Sequence, residues 1–455
     1  MKLHAGLAVA VLLTLTPIAR AQSDRRPVPP ESDPTGRSVR VLTDLTVIDG
    51  SGQPARAGVS LVLVGERIDR IVDGRPTDVP TGAEWVDLGG FFAVPGLIDV
   101  HTHLATGPSA PGYTDRVRGQ LRRLLGTGVT AVRDMAGDGR VLAYLARQTR
   151  LGDLPGPDIC FAAVLGGPRL FGDRRIRDSS RGETLGTAPW AHTVTDETDL
   201  DALMLRIEGL GASGVKVYSD LAPDLLARVA RAAKARGLAV WAHWVVTPRS
   251  TGALDVVRAG VEVVSHAHMP LLDTAVDDRV SSARAMAGIG AEALLAAMKE
   301  RGTVLDATLV AAQRLPARPE WVAPGAFAVD LVRAARAAGV MVATGSDHPD
   351  DGDLPAIHLE YRALVEAAGW TPGEVLEAAT GVSARVLGIA DRAGVLREGM
   401  EATFVLLDRD PAADVAALAA PRFVLKRGQL YSGEQLRGSG AEDGALTSFP
   451  GSRSR

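Results

Sequence analysis

Alternating apolar and helical patterns run through the middle of the chain. From residue 93 to residue 390, short apolar runs are separated by segments such as DLLARVARAAKARG, in which apolar residues recur at helical spacing before a glycine. Eight runs have the length of buried strands: LIDVHTHL, VTAVRDMA, DICFAAVLG, GVKVYSD, AVWAHW, VEVVSHAHM, TVLDATLV and VMVATGSD. Eight strands with intervening helices predict an α/β fold, a closed (β/α)8 barrel of the TIM type rather than an open doubly wound sheet.

Both flanks of this barrel have strand patterning. Residues 39–92 contain short alternating segments separated by Gly, Asp-Gly and Pro-Thr, which is typical of a small antiparallel sheet. Residues 391–435 return to this pattern in GVLREGMEATFVLLD and RFVLKRGQLY. Because the two segments bracket the barrel, we predict that they form one discontinuous β-sandwich domain. Residues 436–455 are rich in Gly, Ser and Ala and are expected to be a disordered tail.

The N-terminal residues resemble a secretion signal. Residues 1–21 combine a basic start, an apolar run and an Ala-Arg-Ala cleavage motif. A proline and an arginine interrupt the run before it reaches the roughly 20 apolar residues of a membrane-spanning helix. Residues 22–38 are rich in proline and charge and are predicted to be a linker. We therefore expect a secreted or periplasmic protein that is not inserted in a membrane after cleavage.

Composition narrows the range of partners. With 46% hydrophobic and 23% charged residues, the 455-residue chain can bury a large core. The formal net charge is −4, and loss of Lys2 and Arg20 with the leader would make it more negative, so neither nucleic acid nor an anionic membrane is an expected partner. The single cysteine, Cys160, cannot form an intrachain disulfide. A small-molecule substrate is expected, and a homo-oligomer stays open.

Candidate ligands for a cation end several of the predicted strands. His101 and His103 end the first run, and residues at i and i+2 of a strand share a face. His243 ends the fifth run, His266 the sixth and Asp347 the eighth. In barrels of this type, functional side chains lie at the carboxyl ends of the strands, so these groups are expected to converge. Imidazole nitrogen and carboxylate oxygen are ligands for divalent cations, although each residue alone also fits a hydrogen-bonded core position.

A lysine occupies the fourth strand. Lys216 lies between Val215 and Val217 in GVKVYSD, so its side chain should point into the barrel mouth. A buried charged lysine is costly unless it is paired or neutralised. Two solutions stay open: a salt bridge with a nearby acid, or a carbamate formed from the neutral amine and carbon dioxide, which would bridge two metal ions.

Each of several further polar residues near the predicted strand ends has its own interpretation. Tyr218 shares a strand face with Lys216 and could hold a substrate carbonyl, or it could be a packing residue. His268 competes with His266, which is preferred because it comes first after the apolar run. Asp306, in VLDATLV, is expected to make a polar contact inside the barrel mouth. Arg133 and its neighbour Asp134 are expected to form ion pairs with adjacent loops.

The longest connection follows the third strand. It reads GGPRLFGDRRIRDSSRGETLGTAPWAH, which is too polar for core and long enough for a lid. Its arginines could bind a substrate carboxylate, or they could be solvated surface charges. They are Arg169, Arg174, Arg175, Arg177 and Arg181.

Taken together, these motifs resemble the amidohydrolase superfamily of metal-dependent hydrolases. The resemblance rests on VPGLIDVHTHL, the lysine in VKVY, the single histidines ending the fifth and sixth strands, and TGSDHP. The segment GVLREGMEATFVLLDRDP is similar to the closing β segment of that family, so the likeness covers residues 38–431. TAVRDMAG and KVY are most similar to the prolidase-like and imidazolonepropionase-like members.

The resemblance implies a binuclear centre with a role for each ligand. His101 and His103 would bind the more buried ion, and a carbamate on Lys216 would bridge both ions. His243 and His266 would hold the second ion. Asp347 would contact the first ion and accept a proton from a bridging water. Zinc is the expected metal, with manganese, cobalt or iron as alternatives.

The implied activity is hydrolysis of an amide or peptide-type C–N bond by a metal-bridging hydroxide, with dipeptides, N-acyl amino acids or cyclic amides as substrates. Asp347 and Tyr218 are the candidate catalytic residues. The same site could instead hydrolyse a lactone, an ester or a phosphotriester. A deaminase is disfavoured because Val246 stands where such members carry a glutamate. A secreted binding protein without turnover would be expected to have lost ligands, whereas all six positions are filled.

Overall fold

Two β-sheets, one parallel and one largely antiparallel, organise the chain. The computed structural model describes residues 38–107, 110–244, 252–347, 354–438, 444–450 and 452–454. The predicted signal and linker, residues 1–38, lie outside the described residues except for Ser38. Among the described helices, none combines the length and the apolar character that crossing a membrane requires.

The strands are β1 (Val39–Val47), β2 (Arg56–Val64), β3 (Arg67–Asp73), β4 (Glu84–Asp87), β5 (Phe92–Pro95), β6 (Leu97–Thr102), β7 (Val129–Asp134), β8 (Asp158–Gly166), β9 (Thr187–Ala188), β10 (Ala191–Thr193), β11 (Gly214–Ser219), β12 (Ala239–His243), β13 (Val263–Ser265), β14 (Val304–Asp306), β15 (Val342–Ala343), β16 (Phe404–Leu407), β17 (Phe423–Lys426), β18 (Gln429–Ser432) and β19 (Arg453–Ser454).

The α-helices are α1 (Tyr113–Gly126), α2 (Gly139–Leu151), α3 (Arg174–Ser179), α4 (Leu200–Leu210), α5 (Pro223–Ala235), α6 (Ala253–Arg258), α7 (Ser282–Gly288), α8 (Ala291–Arg301), α9 (Leu309–Gln313), α10 (Pro324–Ala338), α11 (Ala356–Glu366), α12 (Pro372–Glu377), α13 (Ser383–Leu387) and α14 (Gly433–Arg437). A π-helical turn (Ala378–Val382) joins α12 to α13.

The parallel sheet is the predicted barrel. Its strands follow the order β6, β7, β8, β11, β12, β13, β14 and β15, and every neighbouring pair in this order is parallel. Backbone hydrogen bonds from Val100 N to Thr344 O (3.0 Å) and from Asp347 N to His101 O (2.9 Å) join the first strand to the chain after the eighth. These eight strands correspond to the eight apolar runs, so the predicted (β/α)8 fold class is confirmed.

The second sheet draws its strands from both ends of the chain, as predicted. Its order is β18, β17, β16, β5, β1, β2 and β3, with β4 on β1 and β19 on β4. Two features differ from the expectation. The pairs of β1 with β4 and β5 are parallel. In addition, β5 pairs with β16, so residues 93–95, which the pattern assigned to the barrel, belong to this sheet.

Part of the C-terminal tail is ordered against this sheet. The prediction of a disordered tail over residues 436–455 is wrong for residues 436–438, which include the end of α14, and for residues 444–450 and 452–454. The Phe449 side chain is only 2% exposed, and its ring centroid lies 5.2 Å from that of Phe423. Phe449, together with Leu446 on the same apolar cluster, therefore provides the apolar burial that the Gly- and Ser-rich composition concealed.

Alternation along the barrel strands decides which side chains face the mouth. Val215 and Val217 of β11 are fully buried in the layer between the strands and the surrounding helices. Lys216 between them therefore points into the barrel, where it is also fully buried. Trp241 of β12 and Val100 of β6 belong to a second apolar cluster, separate from that layer.

A buried ion network fastens the two sheets together at the amino-terminal end of β8. One Asp158 oxygen accepts hydrogen bonds from Lys426 Nζ and Arg427 Nη1, both at 2.8 Å, and the other accepts one from Arg150 Nη1 at 2.9 Å. Burial raises the pKa of Asp158, but the charges of Lys426 and Arg427 outweigh it and hold the pKa below its ordinary value. This carboxylate is therefore ionised at neutral pH and links the barrel to β17.

We predict that Asp158→Asn lowers the free energy of unfolding by about 3 kcal/mol, because it leaves buried cations without their counter-charge. Urea unfolding at pH 7 measures the change. Since the folded-state pKa of Asp158 is depressed, the wild-type advantage should be complete at neutral pH and should be lost as the pH falls below the ordinary value of 3.8. Asp73→Asn, which removes an exposed partner of Arg56, is the control and should change nothing measurable. Equal unfolding midpoints for Asp158→Asn and wild type would contradict the prediction.

Candidate metal centre

Three candidate ligands meet at the carboxyl ends of the first and eighth strands. His101 and His103 lie at the end of β6, and Asp347 follows β15. Asp347 Oδ1 lies 3.0 Å from His103 Nε2 and 3.3 Å from His101 Nε2. One ligand atom from each residue falls within 4.8 Å of the others, a spacing that fits a single cation held by two imidazoles and a carboxylate.

Backbone contacts hold these ligands in place. Asp99, which is fully buried in β6, accepts hydrogen bonds from Ser346 Oγ (2.6 Å), Ser346 N (3.1 Å) and His101 N (3.0 Å). Asp347 adopts the left-handed backbone conformation, with φ of 46°, which turns its carboxylate back over the strand ends. The segment after β15 is therefore tied to β6 on both sides of the candidate site.

The carboxylates of Asp306 and Asp347 favour a positive charge on His101, which contacts both of them. Burial lowers the pKa of His101, but Asp347 and Asp306 outweigh this and raise the pKa above its ordinary value. Burial likewise raises the pKa of Asp347, but His101 and His266 outweigh it and hold that pKa well below the ordinary value. The Asp347 side chain remains 18% exposed, so the site is accessible from the mouth.

His243 and His266 extend the row of imidazoles. The His266 ring centroid lies 4.8 Å from that of His101 and 5.0 Å from that of His243. His243 Nδ1 lies 3.0 Å from the carbonyl oxygen of Tyr218, so Nδ1 carries the hydrogen and Nε2 keeps its lone pair. Burial and nearby positive groups lower the pKa of both histidines well below the ordinary value, which leaves them in the neutral form that binds metals.

Lys216 lies beneath this row. Its Nζ donates a hydrogen bond to Ser265 Oγ at 2.7 Å, and Ser265 directly precedes His266. Among the described residues, no carboxylate lies within salt-bridge distance of the amine. Burial lowers the pKa of Lys216 to about 7, although Asp306 acts in the opposite direction. A substantial fraction of the amine is therefore neutral at physiological pH.

Tyr218 lies at the rim, two residues beyond Lys216. Its ring centroid is 4.3 Å from that of His243, and its hydroxyl oxygen accepts a hydrogen bond from Arg175 Nη2 at 3.3 Å. Burial raises the pKa of Tyr218 to about 12, so the phenol keeps its proton at neutral pH. The ring also packs against the apolar cluster that includes Trp190, so both alternatives, a substrate contact and a packing role, stay open.

Of the five arginines in the long connection, Arg175 reaches a candidate site residue. Arg175 is the second residue of α3. The Asp173 carboxylate contacts its Nε (3.3 Å) and Nη2 (2.8 Å) and also accepts a hydrogen bond from its backbone N–H. The other four contact local groups or solvent: Arg169 pairs with Asp220, Arg174 pairs with Asp178, Arg177 donates to backbone carbonyls, and Arg181 is exposed.

Other sequence expectations have mixed outcomes. His268 lies one step outside the row, with its ring centroid 5.8 Å from that of His266. The carboxylate of Asp134 accepts backbone N–H groups of the segment after β6, including Ala105 N at 3.3 Å. Arg133 does not pair with a loop; it is fully buried inside the barrel with its Nη2 3.6 Å from Asp306 Oδ2. Val246 lies outside the described residues.

Comparison with known proteins agrees with this geometry. The sequence model of the amidohydrolase family matches residues 92–431. The chain belongs to the amidohydrolase family. The resemblance inferred from the motifs is thereby confirmed, as is the prediction of an amidohydrolase enzyme.

Relatives of this amidohydrolase include proteins named for different activities. The chain is 27% identical to an imidazolonepropionase of Polaromonas sp. over 377 residues, which cover 76% of this chain and 82% of that protein. It is 26% identical to an ochratoxinase of Aspergillus niger over 450 residues, which cover 85% of each chain. A crystal structure of a Xaa-Pro dipeptidase superposes with a TM-score of 0.68 at 22% identity, covering 87% of this chain and 100% of that one, and so shows the shared fold.

The donor set of this amidohydrolase fits the divalent cations on which its family generally depends. Two imidazoles and a carboxylate have ligand atoms within 4.8 Å of one another, and two further histidines are held neutral beside them. Nitrogen and oxygen donors of this kind suit zinc and the neighbouring transition metals.

Proposed function

We propose that this amidohydrolase is a secreted or periplasmic metal-dependent enzyme that cleaves amide or peptide-type bonds of dipeptides, N-acyl amino acids or cyclic amides. The convergence of His101, His103 and Asp347 within 4.8 Å, beside a buried lysine and two neutral histidines, carries the proposal. The leader-like residues 1–21 support the location.

The proposed ligand roles divide the row of imidazoles between two ions. His101, His103 and Asp347 would hold one ion, and His243 and His266 would hold a second. When bound, divalent ions of this kind lower the pKa of a water ligand and polarise a carbonyl group. Zinc is proposed from the nitrogen and oxygen donors.

The proposed carbamate on Lys216 has support from its surroundings. Only a neutral amine reacts with carbon dioxide, and burial brings the pKa of Lys216 down to about 7. Its hydrogen-bond partner, Ser265, is a neutral hydroxyl that does not hold the amine in its charged form. Carboxylation of the neutral amine would release one proton and leave a buried anion, which two metal ions could neutralise.

The chain's own residues have separate tasks in the proposed reaction. Asp347, whose Oδ1 lies beside two imidazoles, accepts the proton of the attacking water and delivers it to the leaving nitrogen. The protonated phenol of Tyr218 donates a hydrogen bond to the carbonyl oxygen as negative charge develops there.

Arg175 is proposed to bind the substrate carboxylate. Its described side-chain contacts with Asp173 and Tyr218 run through Nε and Nη2, so among these contacts Nη1 is not used. The guanidinium also contacts Tyr218, so a bound carboxylate would lie close to the scissile bond. This position favours dipeptides and N-acyl amino acids over neutral amides.

A substrate panel tests the reaction class. The purified enzyme, assayed with dipeptides, N-acyl amino acids, lactones and a phosphotriester, should have its highest kcat/KM on the amide substrates. Asp347→Asn should lower kcat by roughly a hundredfold or more, because it removes the general base. Higher kcat/KM on a lactone or the phosphotriester would favour the alternative activities.

Lys216→Ala is predicted to abolish binding of the second ion and most turnover, since the bridging ligand is lost. Elemental analysis should give two ions per chain for wild type and one for the variant. Reactivation of metal-free wild type should depend on added bicarbonate. Lys299→Ala, a substitution on the outer helix α8, is the control and should keep both ions. Two ions and full activity in Lys216→Ala would exclude the carbamate bridge.

Arg175→Gln is predicted to raise KM by roughly tenfold or more for substrates with a free carboxylate, since a charge-assisted hydrogen bond is lost. It should leave KM unchanged for the same substrates with an amidated carboxyl group. The matched variant Arg174→Gln changes a neighbouring arginine whose side chain is 84% exposed, and should behave as wild type. Equal KM changes for free and amidated substrates would show that Arg175 does not recognise the carboxylate.

A further inference from the structure

The seventh barrel strand carries none of the candidate ligands, yet it contacts one of them closely. Asp306, the last residue of β14, has its Oδ2 2.6 Å from His101 Nδ1. Both side chains are buried, at 0% and 2% exposure. A carboxylate can only accept in this contact, so Nδ1 carries the hydrogen and Nε2 is the ring atom that faces Asp347.

The surroundings of Asp306 keep its carboxylate ionised and direct it to His101. Arg133 Nη2 lies 3.6 Å from the same oxygen, and the guanidinium packs over the Trp241 ring at 4.5 Å. Arg133 Nε donates to Val100 O at 2.6 Å, which fixes the cation in the barrel interior. Among the described residues, Asp306 Oδ1 has no hydrogen-bond partner, so the side chain's one strong hydrogen bond is the one to His101.

An independent observation comes from Gly345, in the segment that carries Asp347. A Cβ at this position would lie 2.3 Å from Asp306 Oδ1 and 2.6 Å from His101 Cβ. The backbone of Gly345 is not left-handed, so its conformation does not require glycine; the close approach of these two side chains does. The space left by Gly345 thus matches the contact between Asp306 and His101.

We propose that Asp306 is a positioning residue for the metal centre: it fixes the tautomer and ring orientation of His101 so that Nε2 is presented to a divalent cation, and Gly345 provides the room for it. Metal-binding histidines are oriented in this way by carboxylates that themselves do not touch the ion. This role rests on the proposed function, because it requires that His101 binds a metal.

Metal affinity tests the role directly. Zinc dissociation constants, measured by competition with a chromophoric chelator, should be about 10- to 100-fold higher for Asp306→Ala than for wild type. Asp306→Asn keeps the side-chain volume and one acceptor oxygen, so it should lose less affinity; it also covers the case in which Asp306→Ala does not fold. The visible absorption spectrum of the cobalt-loaded protein should change in Asp306→Ala, because the His101 ring is no longer oriented.

Two matched controls separate this role from a general loss of packing. Glu360→Gln alters another fully buried carboxylate, whose described contacts are Leu309 N and Val310 N, and should leave the zinc affinity and the cobalt spectrum unchanged. Gly345→Ala should weaken zinc binding in the same direction as Asp306→Ala. Gly373→Ala, where an added Cβ meets no atom within 4 Å, should not.

The outcomes distinguish the two levels of the proposal. If wild type binds zinc and both Asp306 variants bind it equally well with an unchanged cobalt spectrum, the positioning role is overturned while the metal centre stands. If wild type binds no divalent cation, the metal centre is overturned and the role of Asp306 with it. Weaker binding in Asp306→Ala and Gly345→Ala, with both controls at wild-type affinity, supports the role.

Discussion

The arrangement of side chains in the barrel mouth depends on the compensation of buried charges. Asp99, Asp306, Lys216 and Arg133 are all fully or almost fully buried, and none of them can be left without a partner at low cost. Asp99 is satisfied by backbone and hydroxyl donors, whereas Asp306 contacts an imidazole and a guanidinium. The polar groups therefore orient one another through direct contacts.

Much of this arrangement could be predicted from local sequence. Strand alternation directs Lys216 inward between two valines, and the i and i+2 spacing places His101 and His103 on one face. Parallel strands of a barrel all end at the same rim. Residues that end separate runs, such as His243 and Asp347, can therefore be predicted to lie close together without any knowledge of long-range contacts. The fold class and the gathering of the imidazoles follow from these two regularities.

The features that sequence reasoning missed depend on contacts between distant residues. Asp306 and His101 are 205 positions apart, and nothing in VLDATLV distinguishes that aspartate from an ordinary polar contact. The arginines of the long connection look alike in sequence, and only the turn before α3 directs Arg175 to Tyr218. Phe449 lies in a polar tail, and its burial depends on the sheet that residues from the other end of the chain build.

Buried charge is compensated at the amino-terminal end of the barrel but only in part at the carboxyl end. The first end therefore contributes to stability, and the second holds the groups suited to chemistry. At the amino-terminal end, Asp158 is surrounded by cations that hold its pKa low, so the network is complete as it stands. At the carboxyl end, the described hydrogen-bond partner of the Lys216 amine is a hydroxyl. His243 and His266 are held neutral, and no described hydrogen bond involves Nε2 of either imidazole. The arrangement at the carboxyl end is less favourable for the chain without ligands, and bound cations would supply the missing partners. Cation binding should therefore increase folding stability through this end of the barrel.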